Sequence, residues 1–346
     1  MSKNKNVLKS ILRIIFIGAS IGSLYFVPWI LVKAWILPLP NSIEAQLDEA
    51  IGHGFDGMIV YVDEAGKAPA FYSAGWHNKA KQIPAYPQAL FKIASISKLY
   101  TAVAATKLVH ENRLSFDKTL TDYLPELNGR IENAEEITLR MMIQHRSGIP
   151  NFTANPAYWE NEEANGQNAL AFALDLPAEF KPNQGYGYSN TNYLLLRRIL
   201  DDVIGYSHNQ YIKEEILIPL ALKNTYFSIT EVDLDKVMSG YYVGYEEDFR
   251  SREYGMLATA EDVGIFLRAL NNGSVFDQGE KEIYPYEYNH GGLVVGYQSL
   301  AEYHKDIDAV VVQFNNTTDF NGYEWNLGEI SFSRIIKIIQ KKKSNE

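Results

Sequence analysis

The segment Phe91-Lys-Ile-Ala-Ser-Ile-Ser-Lys98 marks the point where the chain changes from an extended stretch to a helix. Beyond its first half, apolar residues recur near the helical period, at Ile96, Leu99, Val103 and Leu108. This pattern predicts a helix from Ser95 to about Glu111. Side chains three positions apart lie on the same side of a helix, so the Lys98 amine can reach the Ser95 hydroxyl.

The start of this helix favours the chemistry of a nucleophilic serine. A helix N-terminus carries about half a positive charge and unpaired N–H groups, which favour an anionic oxygen at Ser95 and disfavour a protonated Lys98. Lysine must be uncharged to act as a base. Lowering its pKa by about 3 units from ~10.4 costs about 4 kcal/mol, which desolvation and a nearby positive field can supply. We therefore predict Ser95 as nucleophile and Lys98 as its base; the alternative is a serine cap followed by a surface lysine.

Other serine motifs in the chain lack this context. Ser2-x-x-Lys5 lies in a basic tail, and Ser115-x-x-Lys118 lies in a charged turn. Gly18-Ala-Ser-Ile-Gly22 matches the G-x-S-x-G elbow, but that motif needs a strand-to-helix turn above a sheet, and this copy lies inside an apolar run. Only Ser95 begins an apolar helix.

A second constellation is Tyr188-Ser-Asn190, at the start of a helical pattern that runs to Val203. Of the 23 tyrosines, Tyr188 alone is followed two residues later by asparagine. A phenol there can relay a proton to a leaving group, and an amide can hydrogen-bond a substrate carbonyl. The alternative is an N-cap asparagine beside a buried tyrosine.

A third constellation is His290-Gly-Gly292, which precedes a strand pattern at Tyr297. Glycines let the backbone approach a ligand closely, and an exposed backbone N–H can contribute to an oxyanion hole. The alternative is a plain turn between strands. His145-Arg-Ser-Gly-Ile-Pro150 is interpreted as structural: a helix end, a glycine cap and a proline stop.

The order of strand and helix patterns predicts the architecture. Strand patterns open the body at Gly57–Val62 and Ala70–Ala74 and close it at Tyr297–Tyr303 and Ala309–Phe314. Residues 115–275 instead carry helical patterns, at 139–144, 168–174, 190–203 and 260–270. We therefore expect an α+β fold, an α/β sandwich whose antiparallel sheet is built from both chain ends and flanked by helices. The expected sheet lobe covers about 41–90 and 276–346, and the mostly helical insertion covers about 115–275.

The N-terminal region, residues 1–40, predicts a cytoplasmic tail and a transmembrane helix. Ile14–Val32 is a 19-residue uncharged run preceded by four basic residues, and as a helix it would span roughly 28 Å, close to the ~30 Å hydrocarbon core. The basic flank places the N-terminus inside, so the body at 41–346 is expected on the extracytoplasmic side of a single-pass anchor. A cleaved signal peptide is the alternative.

Composition limits the remaining functions. The chain has 346 residues, 46% of them hydrophobic, which is enough for a large core. It has no cysteine, so disulfides and thiol nucleophiles are excluded. The net charge is −10, and removing the five positive charges of residues 1–40 leaves −15 for the body. So acidic a body is expected to repel nucleic acid.

Taken together, these motifs resemble the serine β-lactamase and penicillin-recognising superfamily. The likeness is to its branch of class C β-lactamases, D-alanyl-D-alanine carboxypeptidases, D-aminopeptidases and family VIII esterases. It extends from about residue 43 to 340 and is carried by five ordered segments, Phe91–Lys98, Ile137–Pro150, Tyr186–Tyr193, Gly255–Asp262 and Asn289–Gly292. The resemblance implies a bacterial cell-membrane location for the anchored chain and a small-molecule or peptide substrate.

The resemblance also implies roles for individual residues. Ser95 would attack a carbonyl and form an acyl-enzyme, with Lys98 and Tyr188 sharing the proton transfers. The backbone N–H groups of Ser95 and Leu293 would form the oxyanion hole, and Asn190 would orient the acyl side chain. Hydrolysis by water would complete the cycle without a metal or organic cofactor.

The chain departs from the family pattern in the third motif, His290-Gly291-Gly292-Leu293. His290 stands where many members have lysine, and Gly291 stands where they have a hydroxyl. A mostly uncharged histidine supplies no permanent cation for a substrate carboxylate, unless another basic residue such as Arg252 does so. We expect weak or no β-lactamase activity and an esterase, amidase or peptidase acting on less anionic substrates. The competing hypothesis is a catalytically silent binding or sensing module at the membrane.

Overall fold

The computed structural model describes residues 2–160 and 166–344. The strands are β1 (Gly57–Glu64), β2 (Ala70–Asn78), β3 (Ile83–Pro84), β4 (Phe91–Lys92), β5 (Thr225–Tyr226), β6 (Tyr241–Tyr242), β7 (Leu257–Ala258), β8 (His290–Val294), β9 (Tyr297–His304), β10 (Ala309–Asn315) and β11 (Thr317–Thr318). The α-helices are α1 (Ser2–Ser23), α2 (Trp29–Ile36), α3 (Ile43–Gly52), α4 (Ser97–His110), α5 (Leu120–Tyr123), α6 (Leu139–Ile143), α7 (Pro156–Glu160), α8 (Asn190–Ile204), α9 (His208–Ile212), α10 (Ala260–Asn272), α11 (Glu280–Ile283) and α12 (Glu324–Lys343).

The main sheet has six strands in the order β3-β2-β1-β10-β9-β8, and each neighbouring pair is antiparallel. Strands from the two ends of the body meet at its centre, where Val60 of β1 lies opposite Gln313 of β10. The predicted α+β class and the antiparallel sheet built from both chain ends are therefore confirmed. The order also leaves β8, which carries the His290 motif, as an edge strand.

Both faces of the central strands are covered. Successive side chains of a strand point to opposite faces. Met58, Val60 and Val62 accordingly pack in one hydrophobic cluster with residues of α3 and α12. Ile59 and Tyr61 pack in the other cluster with residues of α4, α8 and α10. A three-layer arrangement follows, with helices on both sides of the sheet.

Helix α4 is the central helix of the larger cluster. Every residue from Ser97 to Leu108 is buried, as expected for a helix enclosed by other elements rather than lying on a surface. It buries two lysines, and one of them, Lys107, pairs with the carboxylate of Glu280 at 3.1 Å. The other is Lys98, which has no such partner among the described residues.

The N-terminal apolar run is not the continuous helix that the sequence predicts. Helix α1 ends at Ser23, a short 3₁₀ turn covers Leu24–Phe26, and α2 begins at Trp29. Pro28 lies at the break, where its missing N–H and its ring disfavour continuation of a helix. Within the described residues, no single helix has the length and apolarity to cross a membrane; Leu12–Phe26 and Trp29–Ile36 meet that test only as a pair bent by 79°.

Helix α2 packs on the body of the protein. Ala34 is buried in the cluster that contains α3 and α12. Arg334 of α12 donates hydrogen bonds to the carbonyls of Leu37 and Pro38, just beyond α2. The chain is therefore fixed to the body from α2 onward.

The helical middle differs in detail from the sequence pattern. The predicted helices at 139–144, 190–203 and 260–270 correspond to α6, α8 and α10. The pattern at 168–174 is instead a 3₁₀ stretch, Gly166–Phe172. The boundaries of the predicted lobes stay a prediction.

Candidate active site

The nucleophile candidate lies on a tight turn between β4 and α4. Ser95 is the middle residue of a 3₁₀ turn, Ala94–Ile96, that leads directly into the helix. Ala94 has φ 49°, in the left-handed region that non-glycine residues seldom adopt. Strain of this kind costs of order 1–3 kcal/mol and persists only where the surroundings impose it. The turn projects Ser95 from the end of the buried helix.

Lys98 approaches Ser95 from the first turn of α4. Its Nζ lies 3.1 Å from Ser95 Oγ and 2.8 Å from Asn190 Oδ1, and the residue is only 4% exposed. Burial holds the pKa of Lys98 well below its usual value, and the charge of Arg197 lowers it further. A lowered pKa favours the uncharged form of the amine, which is the form that can accept the Ser95 proton.

Tyr188 contacts the same oxygen. Its hydroxyl donates a hydrogen bond to Ser95 Oγ at 2.7 Å. Burial raises the pKa of Tyr188 to about 12, although the hydrogen bond to Ser95 lowers it in part. The phenol is therefore protonated at neutral pH and can donate a proton, whereas Lys98 can accept one.

The start of α8 holds Asn190 in a defined orientation. Its backbone N–H donates to Asn151 Oδ1 at 3.1 Å, and its side-chain Nδ2 donates to Thr153 Oγ1 at 3.1 Å. With the nitrogen so placed, the amide oxygen faces Lys98. The structure thus brings Ser95, Lys98 and Tyr188 together with Asn190; their catalytic roles stay predictions.

His145 lies beside this group, and the sequence interpretation missed it. The predicted helix end is present, because α6 stops at Ile143 and Gly148 has φ 78°. However, the His145 ring is 1% exposed and lies 4.4 Å from the Tyr188 ring, centroid to centroid. Its Nδ1 accepts a hydrogen bond from the backbone N–H of Ser189 at 3.2 Å. Burial lowers the pKa of His145 to about 3, with Lys98 and then His290 adding to the effect, so the ring is neutral.

His290 borders the site on the edge strand β8. Its Nε2 lies 2.8 Å from the hydroxyl of Tyr286, which also lies 3.4 Å from His145 Nε2. Burial lowers the pKa of His290 to about 4, a hydrogen bond to the Gly291 carbonyl raises it, and Lys98 lowers it. The ring is uncharged at neutral pH and supplies no cation. The sequence interpretation also missed Tyr286, whose contact with His145 spans 141 positions.

The glycines of the third motif let β8 lie against the nucleophile turn. A Cβ on Gly292 would stand 2.4 Å from the carbonyl oxygen of Ile93 and 2.5 Å from Ser299 Oγ. A Cβ on Gly291 would lie 3.2 Å from the Trp325 ring and 3.3 Å from the Leu300 side chain, and the nearest backbone atom, the Ser299 carbonyl oxygen, would be 3.5 Å away. Leu293 is 36% exposed on this strand. No strand pairs with the outer side of β8 in the described sheet, which leaves backbone groups there for a substrate.

The alternative cation considered from sequence already has an acidic partner. Arg252 forms an ion pair with Glu247 at 2.8 Å. Its carbonyl, like that of Phe249, accepts a hydrogen bond from the buried Lys92. Arg252 therefore does not replace the family lysine as an unbalanced charge.

The fold and this site define the class of protein. The chain belongs to the Beta-lactamase family, whose model matches residues 41–292. This match confirms the serine β-lactamase and penicillin-recognising kinship that the sequence motifs predicted.

Two curated proteins illustrate the likeness. The chain is 28% identical over 210 residues to Protein flp of Staphylococcus aureus, covering 59% of this chain and 42% of that protein. It is 25% identical over 252 residues to Penicillin-binding protein 4* of Bacillus subtilis, covering 70% of this chain and 54% of that protein. The chain thus spans about half the length of the curated relatives it matches.

A solved structure shares nearly the whole fold. D-amino acid amidase from Ochrobactrum anthropi SV3, complexed with L-phenylalanine amide, superposes with a TM-score of 0.77 at 22% identity. The match covers 88% of this chain and 99% of the amidase. At that identity the likeness shows a common fold.

Proposed function

We propose that this protein is a serine hydrolase that cleaves an ester or amide through an acyl-enzyme on Ser95. One observation carries the proposal: Ser95 Oγ lies between an amine at 3.1 Å and a phenol at 2.7 Å. Both groups are buried and their pKa values are shifted in opposite directions. Pairs of groups whose surroundings separate their pKa values are suited to acid and base roles.

Acylation begins at the uncharged amine. Lys98 takes the Ser95 proton as the oxygen attacks the substrate carbonyl, giving a tetrahedral oxyanion and a protonated lysine. The backbone N–H groups of Ser95 and Leu293 stabilise the oxyanion. The carbonyl then re-forms as Tyr188 protonates the leaving amine or alcohol, and Lys98 returns its proton to the phenolate. The acyl group remains on Ser95, and Lys98 and Tyr188 regain their initial protonation states.

Deacylation repeats these steps with water. A water molecule loses a proton to the Tyr188–Lys98 pair as its oxygen attacks the acyl carbonyl. Collapse of the second oxyanion breaks the bond to Ser95, and the same pair returns the proton to Ser95 Oγ. The products are a carboxylic acid and the restored enzyme.

The surroundings of the site favour substrates without a carboxylate. His290 and His145 are both neutral because of burial. The exposed carboxylate of Glu287 acts electrostatically on Tyr186 and Tyr188, which further disfavours an anion. We therefore propose neutral or amine-bearing substrates, such as amino acid amides and esters, over penicillins and other carboxylates. The fold shared with D-amino acid amidase supports the amide class.

A covalent serine probe tests the nucleophile. Fluorophosphonate labelling is expected for the wild type and for Ser115→Ala, which removes the serine of another Ser-x-x-Lys motif, but not for Ser95→Ala. A panel of p-nitrophenyl esters, D-amino acid p-nitroanilides, D-Ala-D-Ala peptides and nitrocefin tests the substrate class. Labelling of a folded Ser95→Ala variant, or no turnover of any panel member, contradicts the proposal and favours the silent module.

We also propose that residues 1–40 tether the body to a bacterial membrane, with residues 41–346 outside the cytoplasm. The basic residues of the N-terminal segment and the apolar bent pair support this. Full-length chain should stay in the membrane pellet after carbonate washing, and external protease should digest the body in intact cells. A soluble full-length chain, or a protected body, contradicts the tether.

A further inference from the structure

A cavity lies beside helix α4, among α4, α8 and α9. It has a volume of about 300 Å³ and is lined by residues of α4, α8 and α9, by the residue after β5 and by the segment after Arg252. Among these residues are Ser97, Arg197, Arg198, Ile212, Phe227 and Met256. Lys98 faces Ser95 and Asn190, whereas Ser97, one position earlier, lines this cavity. Adjacent residues of a helix point in different directions, so the two sites lie on different sides of α4.

Arg197 enters this cavity with most of its hydrogen-bonding capacity unused. A guanidinium offers five N–H donors. Among residues 2–160 and 166–344, the side chain of Arg197 has a single hydrogen-bond partner, the neutral hydroxyl of Ser97 at 3.2 Å, and no carboxylate within 4.0 Å. Burial lowers the pKa of Arg197, but arginine stays charged in proteins. A partly desolvated cation without an anionic partner is unfavourable.

The other charged groups around the cavity are paired. Arg198 forms an ion pair with Glu126. Asp201 accepts hydrogen bonds from the backbone N–H and the Nδ1 of His208, the latter at 2.8 Å. Of the two arginines in the part of the lining that the structure describes, Arg197 is therefore the one without a carboxylate partner.

We propose that this cavity binds a small monocarboxylate, with the carboxylate on Arg197 and an apolar chain against Ile212, Phe227 and Met256. A planar carboxylate matches the guanidinium fork and makes two charge-assisted hydrogen bonds. A single guanidinium without a carboxylate partner, with the Asp201 carboxylate in the same lining, disfavours multiply charged anions. The apolar lining favours a carboxylate with a short hydrocarbon chain over an inorganic ion.

Binding there acts on the catalytic base through charge. The positive charge of Arg197 is one of the causes that lower the pKa of Lys98, after burial. A bound carboxylate offsets that charge and raises the pKa of Lys98, so a larger fraction of the base is protonated at a given pH. The titratable and charged groups facing this pair are Tyr188, Tyr193, His145, His290, Arg198, Asp201 and His208. The carboxylate is thus an inhibitory effector.

The binding test uses the full chain and sodium butyrate at constant ionic strength. Thermal unfolding should shift to higher temperature with butyrate, by mass action. Butyramide, its neutral analogue, and inorganic phosphate should give no comparable shift. Arg197→Met should weaken butyrate binding about tenfold or more, whereas Arg198→Met, from the same lining, should bind normally. Leu194→Trp, which narrows the cavity but keeps Arg197, should also lose butyrate binding. This variant replaces Arg197→Met in the test if Arg197→Met does not fold.

The kinetic test measures kcat/KM against pH. Butyrate should move the acid limb of the profile to higher pH in the wild type. Arg197→Met should show a limb at higher pH without butyrate and no response to it. A butyrate shift that persists in Arg197→Met, equal stabilisation by butyramide, or tighter binding of phosphate than of butyrate overturns the proposal. The unfolding measurements do so independently of any catalytic activity.

Discussion

The Nζ of Lys98 lies 2.8 Å from the side-chain oxygen of Asn190, although 92 positions of sequence separate the two residues. Asn190 is itself held by Thr153 and Asn151. The start of α8 therefore positions the proposed base of α4 with a neutral acceptor. A neutral partner holds the amine in position, and it lacks the negative charge that would favour the protonated amine.

Asn190→Asp tests this arrangement with a nearly isosteric change. A carboxylate 2.8 Å from Nζ favours the protonated amine and raises the pKa of Lys98. The acid limb of kcat/KM should move to higher pH, with lower activity at pH 7 and partial recovery under more alkaline conditions. Asn190→Ala removes the contact without adding charge, and its profile should not show this upward shift. If the acid limb of kcat/KM does not move in Asn190→Asp, the reaction does not require an uncharged Lys98.

Tyr188→Phe should affect substrates according to their leaving groups. The phenol donates to Ser95 Oγ and is the proposed proton donor, so its loss should slow amide and anilide cleavage by about 10²–10⁴-fold. A p-nitrophenolate leaves without protonation, and the p-nitrophenyl ester should lose much less rate. The measurement is kcat/KM on a matched ester and anilide; equal losses on both argue against proton donation.

His290→Lys should alter substrate preference. The wild-type ring is neutral, with its pKa lowered to about 4 by burial. A lysine there supplies a cation, and its charge-assisted hydrogen bond to a substrate carboxylate should raise the preference for D-Ala-D-Ala peptides over neutral amides about tenfold or more. His290→Gln, without the charge, is the control. An equal change in both variants means that His290 acts through packing.

Gly292→Ala should damage the site more than Gly291→Ala. The added methyl at 292 would lie 2.4 Å from a backbone oxygen of the nucleophile turn, which has little freedom to move. The methyl at 291 would lie 3.2 Å from the ring edge of Trp325 and 3.3 Å from Leu300. The thermal unfolding temperature and the rate of serine-probe labelling should fall clearly for Gly292→Ala and little for Gly291→Ala. Equal behaviour contradicts the close approach of β8 to Ser95.

The buried histidines should make stability depend on pH. In the folded state the pKa of His145 is about 3, whereas an unfolded histidine titrates near 6.5. Above about pH 6.5 both states are neutral; as pH falls toward 3 the unfolded state binds the proton first, so stability decreases by up to about 1.4 kcal/mol per pH unit. The free energy of unfolding, measured with urea between pH 7.5 and 4.5, should depend less steeply on pH for His145→Gln than for the wild type. Equal slopes contradict a neutral buried His145.

Several features of the site follow from local sequence. The three-residue spacing of Ser95 and Lys98 brings them together on any helix that begins there, and Tyr188 and Asn190 flank one helix start. The sequence patterns likewise predicted the central strands and the helix α10. These are near-neighbour relationships, which backbone geometry imposes.

Other features had no local signal. The ring of His145 lies on Tyr188 because α6 ends beside the start of α8, and the hydroxyl of Tyr286 contacts His145 across 141 positions of sequence. The apolar pattern at Ile14–Val32 predicted one helix, but Pro28 divides it. Hydropathy measures apolarity along the chain and does not register a lost backbone donor.

The sequence by itself determined the family, the central strands of the sheet, and which serine precedes the buried helix α4. Only the tertiary structure decided that the amine of Lys98 is enclosed without a carboxylate, that Tyr188 meets Ser95 across 93 residues, and that Arg197 faces a separate cavity. The physical reason is that side-chain period encodes which face of an element is buried. Desolvation and charge pairing depend on which distant elements cover that face. Only tertiary packing decides which elements those are.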